Sequence, residues 1–456
     1  MTSGFMSRPQ FTAERKGILM SKPDANGPGW SGIALLLLVN LIAASFLYSP
    51  GTTDVQHWQT WINSISKYGL IGAYAHSGDQ YPPLAFVILS PISRCAHALG
   101  TTEFIVLKCS LLLFLLATSA CFYWFTRNLI LTAAFEFTLI LNSVALGYID
   151  IYFAPFLIAG LFQLRRGNLN RGVLLFTISC FIKWQPVIIA PFICSYVLSL
   201  AQGGPDTHCK PQMRILPFAL ATVAVALPIM TVFGAAVIHS LGRGMTDDPV
   251  LSGNALNLSW LHTWALHLAQ PGTYGALKDG QVDIIESYTY EASIKLAEKI
   301  LFYASYGGVF TVFARKKKTF ERLIVYSVLG YMSYFIFNTG VHENHLFLVS
   351  CLAWILAFVD SGHLLRCINL SIAANVNLVL FYGLFGQPLP FRRVFAGIDV
   401  TVWFAFANIC LFLGLLLHTF KADAVGFGFW QASRRRLRAA WPIWPGRQSQ
   451  FRRLDN

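Results

Sequence analysis

The sequence predicts an all-α polytopic membrane protein of about twelve transmembrane helices, within a range of roughly ten to fourteen. Composition is the first reason. Of 456 residues, 55% are hydrophobic and 12% charged, and the mean hydropathy is +0.54. So little polar surface cannot cover a soluble globule of this length. The second reason is the recurrence of apolar runs near the ~20 residues that cross ~30 Å of hydrocarbon. The third is the placement of Lys and Arg, which resist translocation and collect in alternate loops.

The first apolar run, roughly residues 31–48, follows Arg8, Arg15, Lys16 and Lys22 and lacks a small-residue cleavage pattern. It therefore reads as a retained anchor behind a cytoplasmic segment, residues 1–30. Further spans are expected at roughly 104–125, 129–146, 148–164, 172–185, 186–201, 215–238, 295–314, 322–339, 345–361, 366–386 and 399–419. Residues 83–99 read as a dipping or interfacial helix, because Pro91 and Arg94 interrupt the run. A full crossing there would invert every later loop and put Arg315 to Arg322 outside. With both termini inside, cytoplasmic loops hold Arg127, Arg165, Arg166, Arg171, Lys210, Arg214, Arg315, Lys316, Lys317, Lys318, Arg322 and Arg366. Together with the N-terminal segment and the tail, they account for most of the 34 Lys and Arg residues. The expected organisation is one transmembrane domain over residues 31–419, with extracytoplasmic loops at about 50–102 and 239–296 and a basic cytoplasmic tail over 420–456.

The net charge of +13 thus lies on the face where anionic headgroups attract it, which implies a membrane and no nucleic acid. The tail mixes Arg434, Arg435, Arg436 and Arg438 with Trp441 and Trp444, as an interfacial anchor does. The nine cysteines are scattered without a CxxC pair, so neither a disulfide framework nor a zinc site is indicated.

On this topology, polar residues at the outer ends of different helices can converge on one cavity, and four clusters carry the argument. In the first, Asp54 to Trp61, helical spacing puts Asp54, His57 or Trp58, and Trp61 on one face, with Asp54 at the N-cap. A carboxylate just outside the bilayer in a long first loop is a candidate general base; the plainer reading is a simple cap. The second, Asp79-Gln80-Tyr81-Pro82-Pro83-Leu84, uses two prolines to fix an extended approach and start the next helix, which holds Gln80 and Tyr81 at the loop's edge. In the third, Lys183-Trp184-Gln185-Pro186, a lysine sits at an outer helix end that proline breaks; it either snorkels to water or binds an anion. The fourth, His342-Glu343-Asn344-His345, lies between two apolar helices, and its spacing is not HExxH and supplies too few ligands for a metal. It suits hydrogen bonding to a sugar or phosphate.

These motifs, with Gly147-Tyr148-Ile149-Asp150 opening a later helix, resemble the membrane-embedded GT-C glycosyltransferases that use polyprenyl-phosphate sugars. The likeness is to bacterial polyprenyl-phosphate mannosyltransferases and relatives of the GPI-anchor mannosyltransferases, and it runs from about Asp54 to His345. The last helices and the tail carry no matching signature. The resemblance implies a GT-C-like fold and an inverting hexose transfer, mannose favoured, on the extracytoplasmic face. Asp54 would be the base. Lys183, with Arg392 or Arg393, would bind the donor phosphate, and His57, Gln80, Tyr81, Asp150, Gln185, His342, Glu343 and His345 would position the sugar or phosphate. The partners are then a polyprenyl- or dolichyl-phosphate sugar and a lipid or glycan acceptor. Neither a cofactor nor a divalent metal is expected, and Asp247-Asp248 is not the spaced Asp-x-Asp pair of nucleotide-sugar enzymes. A bacterial inner membrane is the favoured location, with the endoplasmic reticulum second. Two other classes stay open: a transporter or flippase of a lipid-linked sugar or other polar solute, and a glycan polymerase or ligase. Glu136 is the main charge inside a span, as a transporter requires.

Overall fold

The computed structural model describes residues 29–77, 80–202, 211–246, 250–286, 289–290, 292–390 and 393–425. The N-terminal segment, Asp79, Arg392 and most of the basic tail lie outside the described residues. Helix α1, Trp30–Ser45, leads through a short 3-10 turn to α2, Asp54–Ser77, which bends at Gly69. Then come α3, Pro83–Leu89; α4, Ile92–Leu99; α5, Glu103–Thr126; α6, Leu129–Leu139; α7, Ala154–Arg165; and α8, Leu169–Ile182. Next are α9, Ala190–Gln202; α10, Pro211–Phe233; α11, Ala236–Thr246; α12, Leu258–Ala269; and α13, Pro271–Tyr274. The chain closes with α14, Ala292–Arg315; α15, Phe320–Phe337; α16, Phe347–Val359; α17, Leu364–Tyr382; and α18, Val400–Val425. The only sheet among the described residues is an antiparallel pair, β1, Val394–Phe395, with β2, Ile398–Asp399.

The protein is all-α, and four helical stretches are long and apolar enough to cross a membrane: Trp30–Tyr48, Glu103–Thr126, Ser361–Tyr382 and Val400–Asp423. A fifth exists if Phe218–Phe233 and Ala236–Gly244, bent by 108°, form one span. Five shorter apolar stretches accompany them, among them Pro83–Leu99, where Pro91 separates α3 from α4. Side-chain caps set several helix starts: Thr102, Asn128, Asn257 and Thr319 each accept a backbone N–H three residues on. Asp54 instead occupies the first turn of α2, and the Thr53 carbonyl accepts from Gln56 and His57. The expected N-cap position is therefore one residue too late. The stretch expected as an outer loop at 239–296 is partly helical, because the chain continues past a left-handed Gly234 (φ 61°) into α11 and then forms α12 and α13.

α15 and α16 are buried along nearly their whole length, as helices apolar on every side must be. Around them pack α6, α7, α9, α12, α14, α17 and α18, and α5 packs outside on α6 and α7, with the Phe122 and Phe135 rings of α5 and α6 stacked at 4.3 Å. The outer face of α1 exposes Leu37, Leu38 and Leu41 instead. One end of this bundle gathers Arg127, Arg165, Arg166, Arg315 and Arg322, which lie in or beside the α5–α6, α7–α8 and α14–α15 turns. The candidate site lies at the other end. α15 separates the two ends by its 18 residues, or about 27 Å.

Candidate functional site

Four segments far apart in sequence meet at that end: Gly51–Trp61, Val144–Asp150, Lys183–Gln185 and Val341–His345. Each is a place where a helix starts or stops, so each has backbone free to turn and polar side chains near the bundle's mouth.

Asp54 is half-buried. Burial raises its pKa above the ordinary 3.8, while His342 and Lys183 pull it back, Asp150 raises it further and His57 lowers it. Its charge is felt in turn by Tyr81, Tyr148, Glu343 and Tyr382. One carboxylate thus shares a field with groups from the early loop, the middle of the chain and its last third.

Lys183 leaves the α8 helix with extended backbone, because Pro186 has no N–H and its ring would clash with the carbonyl of Ile182 if the helix continued. Its buried ammonium donates to the Tyr81 hydroxyl at 2.7 Å and to Asp150 Oδ2 at 3.0 Å, and lies 4.5 Å from the Tyr81 ring centroid. Burial alone would lower its pKa, but Asp150 and Tyr81 outweigh burial and lift it above the ordinary 10.5. This cation stays charged. Tyr81 is wedged edge-on against Trp58 and Trp61, at 5.3 and 5.1 Å between ring centroids, and its carbonyl accepts from Ser240 of α11 at 2.6 Å. Gln80 sits beside it, against Gly244 of α11.

Asp150 is fully buried, and Oδ2 accepts a second bond from Asn344 Nδ2 at 3.0 Å. The loop that presents it has four consecutive carbonyls captured by other elements. Lys108 Nζ donates to Val144 and Ala145, Ser49 Oγ also reaches Ala145, the Thr52 N–H takes Leu146, and Trp58 Nε1 takes Gly147. Three of these donors, Ser49, Thr52 and Trp58, flank Asp54 in the chain, so their bonds fix Asp54 relative to Asp150. Gly147 holds φ 81°, and a Cβ there would lie 2.3 Å from Val55 Cγ2. Gly147→Ala should therefore cost at least about 2 kcal/mol from left-handed strain and overpacking combined. It should also disturb Asp54 and Asp150 together, read as a lower melting temperature in detergent. Wild-type melting would mean the two segments are not locked to each other.

Beyond α15, the Tyr148 hydroxyl donates to Glu343 Oε1 at 2.5 Å, and His342 Nδ1 lies 3.9 Å from Glu343 Oε2. Burial raises the Glu343 pKa, opposed by His342. His342 packs flat against a chain turn at Gly253, where a Cβ would fall 2.4 Å from Nδ1, so only glycine permits this approach. His345 Nδ1 meets the Tyr334 hydroxyl at 3.1 Å, and burial with the His342 and Lys183 charges keeps its pKa well below 6.5.

The structure thus gathers Asp54, Tyr81, Asp150, Lys183, His342, Glu343 and His345 into one site. His57 is exposed at the rim, with its ring 5.0 Å from that of Trp61. Gln185 is buried, and neither side-chain amide atom has a hydrogen-bond partner. Arg393 is placed elsewhere: it donates to the Leu380 carbonyl at 3.2 Å, lies 3.6 Å from Asp399 Oδ2 and covers the Phe381 ring. Those contacts tie the β1–β2 turn to α17. Sequence reasoning missed Lys108, Asn142 and Tyr382 as site or supporting residues, and it placed Tyr148 and Asn344 within motifs without giving either a role of its own. Lys108 had a signal, a charge inside an apolar run; Asn142 and Tyr382 had none.

Among the described residues, one side-chain group is close enough to hold a metal: Glu321, Asp360 and His363, at the opposite end of α15. His363 Nδ1 accepts from Arg366 at 2.8 Å, so its proton sits on Nε2, which faces the two carboxylates at 3.6 and 3.7 Å. A histidine that ligates through Nε2 would donate from its second nitrogen, whereas Nδ1 here accepts from Arg366.

Comparison with known proteins adds no relative: no protein-family model and no curated protein matches this chain.

Proposed function

We propose that the chain is an inverting glycosyltransferase of the GT-C kind, which moves a hexose from a polyprenyl-phosphate donor to a hydroxyl of a lipid or glycan. The observation that carries this reading is the pairing, within one electrostatic neighbourhood, of a half-buried carboxylate whose pKa is raised and a buried lysine that stays charged. The reaction needs these two groups. Asp54 takes the proton of the acceptor hydroxyl as its oxygen attacks the anomeric carbon, and the bond from that carbon to the phosphate oxygen breaks. Lys183 neutralises the charge that grows on the departing lipid phosphate, and the Tyr81 hydroxyl, which accepts from Lys183, keeps its own proton to donate beside it. His342, Glu343, His345, Gln80, Gln185 and His57 line the approach, and mannose is the favoured sugar. A lysine supplies the charge, so the mechanism needs no divalent ion.

Helices whose ends alternate between the site and the basic turns support about twelve crossings: α1, α5 to α10 and α14 to α18. The positive-inside bias then sets the site on the extracytoplasmic face, with a bacterial inner membrane favoured. The transporter reading has its own support in Glu136, buried within α6.

The deciding experiment supplies purified protein in detergent with polyprenyl-phosphate mannose, glucose or arabinose, labelled in the sugar, and a crude lipid and glycan acceptor pool. Sugar leaving the polyprenyl phosphate for an acceptor is the expected result. Absence of both transfer and donor binding would move the reading to transport.

A further inference from the structure

Five polar side chains around the Lys183–Asp150 pair are buried and each has atoms without a hydrogen-bond partner. They are Asp150 Oδ1, Asn142 Oδ1, Asn344 Oδ1, the Tyr331 hydroxyl and both amide atoms of Gln185. They form one neighbourhood. Asn344 Nδ2 bonds Asp150, Asn142 Nδ2 donates to the Asn344 carbonyl at 3.0 Å, the Tyr331 ring lies 5.5 Å from that of Tyr334, whose hydroxyl meets His345 beside Asn344, and Gln185 follows Lys183 by two residues. A buried polar atom left without a partner is a standing cost to the fold. So many in one place mark a site for a ligand and not a defect of packing.

The orientation of the two asparagines is settled by chemistry. Each Nδ2 faces an oxygen that can only accept, so each Oδ1 is a true acceptor and neither amide can be flipped. Four of the unmet atoms, Asp150 Oδ1, Asn142 Oδ1, Asn344 Oδ1 and Gln185 Oε1, are therefore pure acceptors; Gln185 Nε2 is a donor, and the tyrosine hydroxyl can serve either way. What fits is a group rich in O–H donors. A second cation is excluded by Lys183, which already neutralises Asp150 from 3.0 Å.

We infer that Tyr331, Asn142 and Asn344, with Asp150 and Gln185, form the subsite that reads the hydroxyls of the transferred sugar. This rests on the glycosyltransferase reading: Lys183 holds the phosphate, so the group next to it is the sugar joined to that phosphate. These oxygens are closed to solvent, so the subsite requires that donor binding open it.

Tyr331→Phe and Gln185→Leu test the subsite cleanly, because each removes atoms that have no partner in the fold. On structural grounds alone, both variants should melt at or above the wild-type temperature. Binding of polyprenyl-phosphate mannose and of bare polyprenyl phosphate is measured for wild type and both full-length variants. The expected result is about tenfold weaker binding of the sugar-bearing lipid in each variant, with bare lipid phosphate unchanged. Variants that keep the wild-type preference for the sugar-bearing lipid would show that the unmet atoms hold ordered water, and would overturn the subsite alone. Equal losses for both lipids would assign the residues to the scaffold and overturn it too. A wild-type protein that binds neither lipid would overturn the glycosyltransferase reading itself.

Discussion

Asp54→Asn is expected to abolish turnover, by a factor of about 10³, while insertion, folding and donor binding persist. Asparagine keeps the shape of the side chain and loses its basicity, so the loss should fall on kcat and leave KM near wild type. The substitution also removes a carboxylate whose ionised form is disfavoured by burial, so the variant should melt at or above the wild-type temperature. The pH profile gives a second check. Below its pKa, Asp54 is protonated and cannot accept the hydroxyl proton, so the rate should fall as pH falls. Because the fold raises that pKa, the midpoint of the acid limb should lie above 3.8. Wild-type turnover by Asp54→Asn would end the assignment of Asp54 as base.

Lys183→Ala should act in the opposite way, on stability first. It removes the cation 3.0 Å from a fully buried Asp150 and leaves that carboxylate with the Asn344 amide as its remaining partner. Breaking a buried pair from one side costs about 3–5 kcal/mol, because the partner's charge is left unbalanced. A marked fall in melting temperature is therefore expected, where Asp54→Asn shows none. Adding Asp150→Asn to Lys183→Ala removes the stranded charge and should recover most of the lost stability. It should not recover binding of bare polyprenyl phosphate, which we expect to be at least about tenfold weaker than wild type. Lys183 also holds down the Asp54 pKa, so its loss should move the acid limb of any residual activity to higher pH. A double variant with both restored stability and wild-type affinity for the lipid phosphate would make Lys183 a structural ion and nothing more.

The division between sequence and tertiary structure runs along a physical line. Composition and period were enough for the helices. The expected spans at 104–125, 366–386 and 399–419 fall on α5, α17 and α18, because an apolar run of bilayer length has one good way to satisfy its backbone. Helix breaks were legible for the same local reason: Pro186 ends α8 and frees Lys183 from the helix, and Pro82-Pro83 starts α3 and sets Tyr81. The boundaries of α2 and the helices within 239–296 were less legible, since amphipathic helices carry no length signal of their own.

By itself, then, the sequence determined an all-α chain with helices long and apolar enough to cross a membrane, the basic residues that mark one set of helix turns, and the short polar motifs at its helix ends. Tertiary structure decided which of those motifs meet. It joined Asp54, Asp150, Lys183 and Glu343 across nearly 290 positions of chain and held Arg393 against Asp399. It also brought in Lys108, Tyr331, Asn142 and Asn344, whose roles depend on partners distant in sequence. The reason is that local chemistry fixes where a helix begins and ends, whereas a pairing of side chains depends on how helices pack, and no single segment encodes that.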